Sequence, residues 1–266
     1  LRLPNDKIKT INLTHKESTE EELYPEEKNE LFEFKWINDD IAYIALNSFS
    51  SWEIMDLFSE KFQEIQKAKK LIIDLRKNGG GKENIGREII KYLTNDTILY
   101  SSKSKSRLHI PIYKAWGKYT KAQDTLRGEW QKQSYLSYHD EFYYNLPYKP
   151  YSTSNLDITR IELPTAILIG HNTASAAEDF LIYADNQENI TKIGEPTFGS
   201  TGQPMIFDLP NGGYGRICTK KDTYPDGREF VGYGIKPDIE VKTTLKDYIE
   251  NNDPVLDKAI KYLNEK

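Results

Sequence analysis

The chain has 266 residues, 38% of them hydrophobic and 12% aromatic, and should bury roughly 70% of its unfolded surface without disulfides or a metal. With 36 basic against 41 acidic side chains, its net charge is −5 and its isoelectric point is near 5.6, which argues against a nucleic-acid groove. No apolar run is long enough to cross a membrane. The single cysteine, Cys218, excludes an intrachain disulfide and is predicted to be a small buried hydrophobe.

Residues 1–40 are predicted to hold an N-terminal strand, at 8–13, followed by an acidic linker. The strand has no partner in view and the chain starts with Leu. We therefore expect this segment to join the main domain, residues 41–266, to sequence upstream.

The pattern of residues 41–93 predicts a parallel sheet with crossover helices. Apolar runs at 41–46 and 71–75 indicate buried strands, and apolar residues at helical spacing in 52–67 predict a helix between them. A second helix, 83–93, begins after a run of glycines. This order of strand, helix, strand and helix is typical of α/β folds.

Residues 101–160 interrupt this pattern. The segment is rich in Tyr, Lys, Ser and Gln and predicts an insertion with some helix near 114–133, whose aromatic side chains either line a peptide groove or pack the insertion itself. The core resumes with a buried strand at 165–169, a helix at 175–185, glycine-rich β structure and a closing helix at 253–263. We therefore predict an α/β fold with a mostly parallel sheet, an inserted segment and a β-rich C-terminal part.

Two polar features follow buried strands, at the edge of the sheet where ligands of parallel α/β folds bind. Gly79, Gly80 and Gly81 can bring backbone N–H groups to an anion, or can simply form a tight turn. Ser175 stands at a strand-to-helix junction, where it can act as a nucleophile with the Ala176 N–H facing an oxyanion, or can simply cap the helix. Together the two features have the layout of acyl transfer.

Four sequence blocks carry a resemblance to a known family: LIIDLRKNGGG (71–81), TASAAEDF (173–180), GEPTFGSTGQP (194–204) and DTYPDGREFVGYGIKPDIEV (222–241). With these blocks in this order, the chain from residue 40 onward resembles the serine peptidases of the C-terminal processing (tail-specific) and tricorn-core family. The resemblance implies a crotonase/ClpP-like α/β spiral. It also implies a PDZ domain and helical segments upstream in the full-length chain.

The resemblance implies specific roles for residues near the serine. Ser175 would be the acylated nucleophile. The N–H groups of Ala176 and of a glycine in the loop, Gly80 with Gly79 beside it, would form the oxyanion hole. Glu178 is similar to a recurrent family position and is expected to be a polar anchor. No metal or organic cofactor is implied.

The general base has no clear position in this sequence. Ser200 stands where tail-specific proteases carry a general-base lysine, so the chain is closer to the tricorn-like branch, in which an upstream His is assisted by a Glu. Val231 aligns with that Glu, and Glu229 is two residues away. We expect the base to come from outside this chain, because no histidine of the chain occupies a recognisable base position: His15, His109, His139 and His171.

Other charged residues are predicted to be structural or solvated. Asp74 and Arg76, at the end of a buried strand, are expected to form an ion pair. Lys192, Lys220 and Lys221 are expected to face solvent.

The predicted function is that of a serine endopeptidase that cleaves extended or C-terminal polypeptide segments through an acyl-enzyme. The resemblance further implies an extracytoplasmic location, periplasmic or secreted. One alternative is a catalytically degenerate peptide-binding module of the same fold, favoured by Ser200 and Val231 at the two divergent positions. A crotonase-type acyl-CoA enzyme is the third candidate, although no basic patch for the CoA phosphates is evident.

Overall fold

The computed structural model describes residues 7–8, 10, 30–154 and 158–266. Their strands are, in chain order, β1 (Phe32–Trp36), β2 (Ile41–Leu46), β3 (Lys70–Asp74), β4 (Ile98–Leu99), β5 (Lys103–Arg107), β6 (Tyr143–Asn145), β7 (Tyr151–Ser152), β8 (Thr165–Ile169), β9 (Ile190–Gly194), β10 (Pro204–Asp208), β11 (Tyr214–Cys218), β12 (Lys221–Thr223) and β13 (Ile239–Glu240). Their helices are α1 (Glu53–Ile65), α2 (Glu83–Ile90), α3 (Pro111–Gly117), α4 (Glu129–Tyr138), α5 (Ala176–Tyr183), α6 (Leu245–Glu250) and α7 (Pro254–Asn264), with 3₁₀ turns at Ala122–Arg127 and Pro210–Gly212.

The central sheet has the strand order β1-β2-β3-β8-β9-β13. All neighbours are parallel except β1, which pairs antiparallel with β2. The predicted parallel arrangement of β2, β3 and β8 is therefore confirmed, and so is the mixed α/β class. The strand β1 was not predicted. The strand predicted at 8–13 and its linker fall almost entirely outside the described residues.

Both faces of the sheet are buried because the apolar residues of its central strands point alternately to two clusters. On β2, Ile44 and Leu46 belong to the larger cluster, which packs under α1, α2 and α5. Ile41 and Tyr43 belong to the smaller cluster on the opposite face, which α7 covers with Val255, Ala259 and Leu263. The continuous apolar runs read from the sequence are thus buried on two sides at once.

The inserted segment begins and ends at a short antiparallel pair, β4 with β7. Between them β5 lies in a small sheet between β6 and β12, so the insertion is joined to the part of the chain that follows Ser175. The helix predicted near 114–133 is present as a pair, α3 and α4, separated by a 3₁₀ turn. Tyr113 meets Trp130 edge to face at 4.8 Å, so these aromatic side chains pack the insertion itself.

The hairpin formed by β10 and β11 corrects the prediction for Cys218. Its strands pair only with each other, and Cys218 is an exposed free thiol at the end of β11. The β-like pattern was correct, but a two-stranded ribbon has no layer to bury its side chains. A tight turn at Asp226 and Gly227 follows β12, where Tyr224 N donates to Arg228 O at 2.9 Å.

Two predictions on charged residues have different outcomes. The ion pair is confirmed, because Arg76 Nη2 lies 2.6 Å from Asp74 Oδ2. Lys192 is not solvated: it is 9% exposed, and its Nζ lies 3.3 Å from Asp185 Oδ1. Lys192 stands on a central strand, where the neighbouring carboxylates compensate the burial of its charge. None of the helices in the described residues is long and apolar enough to cross a membrane.

Candidate active site

Ser175 lies in a strained turn between β8 and α5. Its backbone has φ +56° and ψ −122°, in the left-handed region that residues other than glycine rarely adopt. Neighbouring backbone groups fix this conformation: Ala174 N donates to Asn78 O at 3.0 Å, and Ser175 N donates to Ser200 O at 3.0 Å. A serine on a strained strand-to-helix turn is the arrangement that presents a nucleophile in α/β hydrolases.

The glycine loop, residues 79–81, lies directly against this turn, as the sequence predicted. A Cβ at Gly80 would lie 2.5 Å from the Ser175 Cβ and 2.8 Å from the Ala174 carbonyl oxygen. Gly80 also has φ +102°, so both space and backbone conformation require glycine here. Gly81 is held equally closely, because a Cβ there would lie 2.3 Å from the Phe49 carbonyl.

Asn78 connects the glycine loop, the serine turn and the central sheet. This fully buried side chain donates from Nδ2 to Leu46 O at 2.8 Å and accepts at Oδ1 from Gly80 N at 2.9 Å. The Gly80 N–H, which was predicted to face an oxyanion, therefore has a partner inside the loop. The N–H groups of Gly79 and Ala176 have no acceptor within the described part of the chain.

Glu178 anchors the serine turn from below. It is completely buried, and its carboxylate accepts four hydrogen bonds. The donors are Ser175 N at 3.1 Å, Ser200 N at 2.9 Å, Gly199 N at 2.7 Å and Thr197 Oγ1 at 2.5 Å. Hydrogen bonds to a charged acceptor are strong, so Glu178 ties α5 to residues 197–200. This geometry is that of the predicted polar anchor.

A cleft of about 590 Å³ opens at Ser175. Gly79, Ser200 and Phe198 line it close to the serine, and Lys77 and Arg216 give it positive charge. The sequence interpretation missed both cations. Arg216 lies on β11, in the β10–β11 hairpin that also contributes Pro204 to the lining. Lys77 stands two residues before the first glycine, where its position could have been anticipated.

The structure brings Ser200 to Ser175 but leaves Glu229 elsewhere. Glu229 is paired with Lys221, whose Nζ lies 2.6 Å from Oε1, and this hydrogen bond lowers the pKa of the carboxyl. Glu229 borders a different cavity, together with Tyr233 and Lys192. Glu229 is therefore a surface ion-pair partner in this structure.

The histidines described by the structure do not border the cleft either. His171 stacks on Phe198 with 5.2 Å between ring centroids, and its side chain is exposed. His109 and His139 lie in the insertion, and His15 falls outside the described residues. In the described residues, no group of three or more His, Cys, Asp or Glu side chains is arranged to hold a metal ion.

Residues 40–241 match the model of the peptidase S41 family. The chain belongs to peptidase family S41. The match includes the glycine loop, the serine turn and Glu178, so the site described above is part of the family domain.

Two curated relatives are carboxyl-terminal processing proteases. The protein of Synechocystis sp. is 24% identical over 216 residues, which cover 80% of this chain and 41% of the relative. The CtpA protein of Bacillus subtilis is 33% identical over 89 residues, covering 34% of this chain and 19% of the relative. This chain therefore spans less than half of each of these relatives.

Solved structures share the fold at low sequence identity. A protein from Parabacteroides merdae described as a candidate peptidase superposes with a TM-score of 0.63 at 23% identity, covering 87% of this chain and 64% of that chain. Mature CPAF superposes with a TM-score of 0.58 at 16% identity, covering 84% of this chain and 50% of that chain.

Proposed function

We propose that this chain is the catalytic core of a serine endopeptidase that cleaves polypeptides in extended form through an acyl-enzyme. The observation that carries the proposal is the backbone of Ser175, held at φ +56° against the glycine loop. A simple helix cap needs no such conformation, whereas a presented nucleophile does. The curated relatives, which process carboxyl termini, support cleavage near the C-terminus of the substrate.

In the proposed reaction, Ser175 Oγ attacks the scissile carbonyl and the amine of the next residue leaves. The tetrahedral oxyanion would accept hydrogen bonds from the Ala176 N–H at the start of α5 and from a backbone N–H of the glycine loop. Gly79 fits this second role as the structure stands, because its N–H has no other acceptor in the described residues. Gly80 fits it only if its hydrogen bond to Asn78 Oδ1 opens.

The proton of the Ser175 hydroxyl needs a base, since an unassisted serine is a poor nucleophile at neutral pH. Ser200 cannot accept that proton as a lysine would, and Glu229 is engaged with Lys221. We therefore place the base outside this chain, as a histidine from an upstream segment. Residual acceleration by an oxyanion hole alone is about a thousandfold over water, far below that of a complete enzyme.

Several further assignments rest on family membership. The core would be a crotonase/ClpP-like spiral, with residues 1–40 connecting it to upstream PDZ and helical domains. Residues 41–266, with the insertion at about 101–160, would form the peptidase domain. The location would be extracytoplasmic. Membership in a peptidase family gives no support to the acyl-CoA alternative.

A fluorophosphonate probe tests the proposal directly, because it reports an activated serine without requiring the natural substrate. We expect covalent mass on Ser175 in the wild-type chain, no labelling of Ser175→Ala, and at most a small effect of Ser200→Ala. Labelling should rise strongly when the chain is extended upstream to include the base. Absence of labelling in both forms would refute the peptidase and leave the degenerate peptide-binding module.

A further inference from the structure

A second cavity, of about 540 Å³, also borders Ser175. Its walls come from five separate parts of the chain: the start of α2, the beginning of the insertion, the first turn of α5, residues 201–204 and residue 220. We call it the polar pocket and define it by Asn84, Ser102, Asp179, Thr201, Gln203 and Lys220. Through Ser102 the insertion contributes directly to the surroundings of the serine.

The lining of the polar pocket is almost entirely hydrophilic. Ala176 and Pro204 are its only apolar side chains among the described residues. The hydrophilic groups are also fixed in place: Ser102 Oγ donates to Asp179 Oδ1 at 2.9 Å, and Lys220 Nζ lies 2.7 Å from Asp222 Oδ2. An aliphatic side chain entering here would strip water from these groups without replacing its hydrogen bonds.

The charged side chains along the polar pocket include two acids, Glu83 and Asp179, and two lysines, Lys82 and Lys220. Burial raises the pKa of Asp179 to about 7, and Lys220 is already paired with Asp222, so neither sign of charge dominates. A cationic side chain would be repelled by the lysines, and an anionic side chain would be repelled by the acidic groups. Neither sign of charge gains a net advantage, which leaves uncharged polar groups as the best match.

One buried group in the polar pocket has no partner. Thr201 is 4% exposed, and its Oγ1 makes no hydrogen bond within the described residues. Buried hydroxyl groups are nearly always satisfied in native proteins, and an orphan of this kind costs stability. Thr201 lines the cavity beside Ser175, so a rotation about its χ1 would turn the hydroxyl from its buried position toward a ligand that supplies the missing hydrogen bond.

We propose that the polar pocket is a subsite that binds an uncharged polar side chain, one with a hydroxyl or carboxamide group, of a polypeptide residue adjacent to the scissile bond. The assignment of a scissile bond rests on the proposed function. The binding of the side chain itself does not, because it needs only the pocket and an extended peptide.

The test uses pairs of side chains of equal shape. Fluorescent peptides of alanine and glycine would carry Thr or Val, Asn or Leu, or Gln or Met at one central position. We would measure the binding of these peptides to the full 266-residue chain carrying Ser175→Ala, which lacks the proposed nucleophile and so cannot cleave them. We expect the polar member of at least one pair to bind about tenfold more tightly, because the aliphatic member leaves buried polar groups unpaired.

Variants of Thr201 assign that preference to the polar pocket. Thr201→Val should reduce the ratio of the affinities for the polar and the aliphatic peptide to about threefold or less. Its melting temperature should be unchanged or higher, since an unpaired hydroxyl is removed. Thr201→Ser, which keeps the hydroxyl, should retain the preference. Ser102→Ala, which releases Asp179, offers a second route should Thr201→Val fail to fold, and it should also weaken the preference.

The outcomes separate the two proposals. Equal binding of polar and aliphatic peptides, or a preference unchanged in the folded pocket variants, would overturn the subsite even if the fluorophosphonate labels Ser175. A preference that depends on Thr201 in a chain that is never labelled would support the subsite and refute the peptidase.

Discussion

The two sides of Ser175 differ in how completely this chain builds them. On the oxyanion side, defined by residues 78–81 and 173–178, buried hydrogen bonds and close backbone contacts hold the glycine loop against the serine turn. On the proton-transfer side stands Ser200, which offers no amine, and Glu229 lies at the surface beside a different cavity. Stabilising an oxyanion requires backbone groups that only a correct fold can place, whereas one side chain from another segment can supply proton transfer.

Gly80→Ala tests how tightly the oxyanion side is constrained. The added Cβ meets Ser175 Cβ at 2.5 Å, and φ +102° is strained for alanine, so we expect probe labelling to fall by about a thousandfold. Gly79→Ala is the matched control, because a Cβ there meets nothing within 4 Å and its N–H is kept. Labelling rates measured side by side should differ by more than about a hundredfold; similar rates would contradict the tight contact.

Asp179→Asn probes the buried acid on the first turns of α5. Burial raises the pKa of Asp179 to about 7, so the folded state keeps a proton that the unfolded state releases near 3.8. This contribution to stability is present below pH 3.8 and is lost as pH rises through about 7. The full loss in the free energy of unfolding is about 4 kcal/mol. Asparagine does not titrate. The melting temperature of the variant minus that of the wild type should therefore increase from pH 4 to pH 8, and a constant difference would contradict the raised pKa.

Glu178→Gln tests the anchor beneath the serine turn. The amide presents N–H groups where the carboxylate accepts four hydrogen bonds, so at least one donor among residues 175 and 197–200 loses its partner. We expect labelling to fall about a hundredfold and the free energy of unfolding to fall by about 3 kcal/mol. Glu188→Gln, at an exposed position, serves as the control in urea titrations and labelling assays.

Ser200→Lys addresses the incomplete side. Residue 200 lines the cleft of Ser175 and is the position that the sequence resemblance assigns to a general-base lysine. If the chain lacks only a base, the new amine should raise labelling about tenfold, with a rate that increases toward alkaline pH as the ammonium loses its proton. Ser200→Met has similar length and no amine, and should show neither effect. Equal rates for the two variants would mean that the deficiency lies elsewhere.

The central sheet could be predicted well from the sequence because strands that are buried on both faces have continuous apolar runs. Runs such as Leu71–Ile73 and Ala166–Ile169 are apolar on both faces, and no exposed strand would tolerate them. The placement of Ser175 beside the glycine loop followed from the rule that parallel strands end at the same edge. These predictions needed no knowledge of distant pairings.

The errors arose where long-range pairing decides the outcome. Cys218 has a β pattern, but nothing near it in sequence states whether a second layer will cover β11. The partner of the Gly80 N–H depends on the rotamer of Asn78, which in turn follows Leu46 on another strand. Lys192 is drawn into the interior by carboxylates at positions 185 and 238. Contacts of this kind have no signature within a short window of sequence.

The helix α7 ties the last part of the chain to the centre of the sheet. Asp253, the N-cap of α7, accepts hydrogen bonds from both terminal nitrogens of Arg76, each at 2.8 Å. At the other end of the helix, Lys70 Nζ donates to Leu263 O at 2.5 Å. During synthesis on the ribosome, one face of β2, β3 and β8 therefore remains exposed to solvent until residues 254–264, which cover it, have emerged. A nascent chain halted before that point exposes an apolar surface prone to aggregation, and its serine turn rests on a half-covered sheet. The sheet beneath the serine turn is therefore complete only after residues 254–264 have folded onto it.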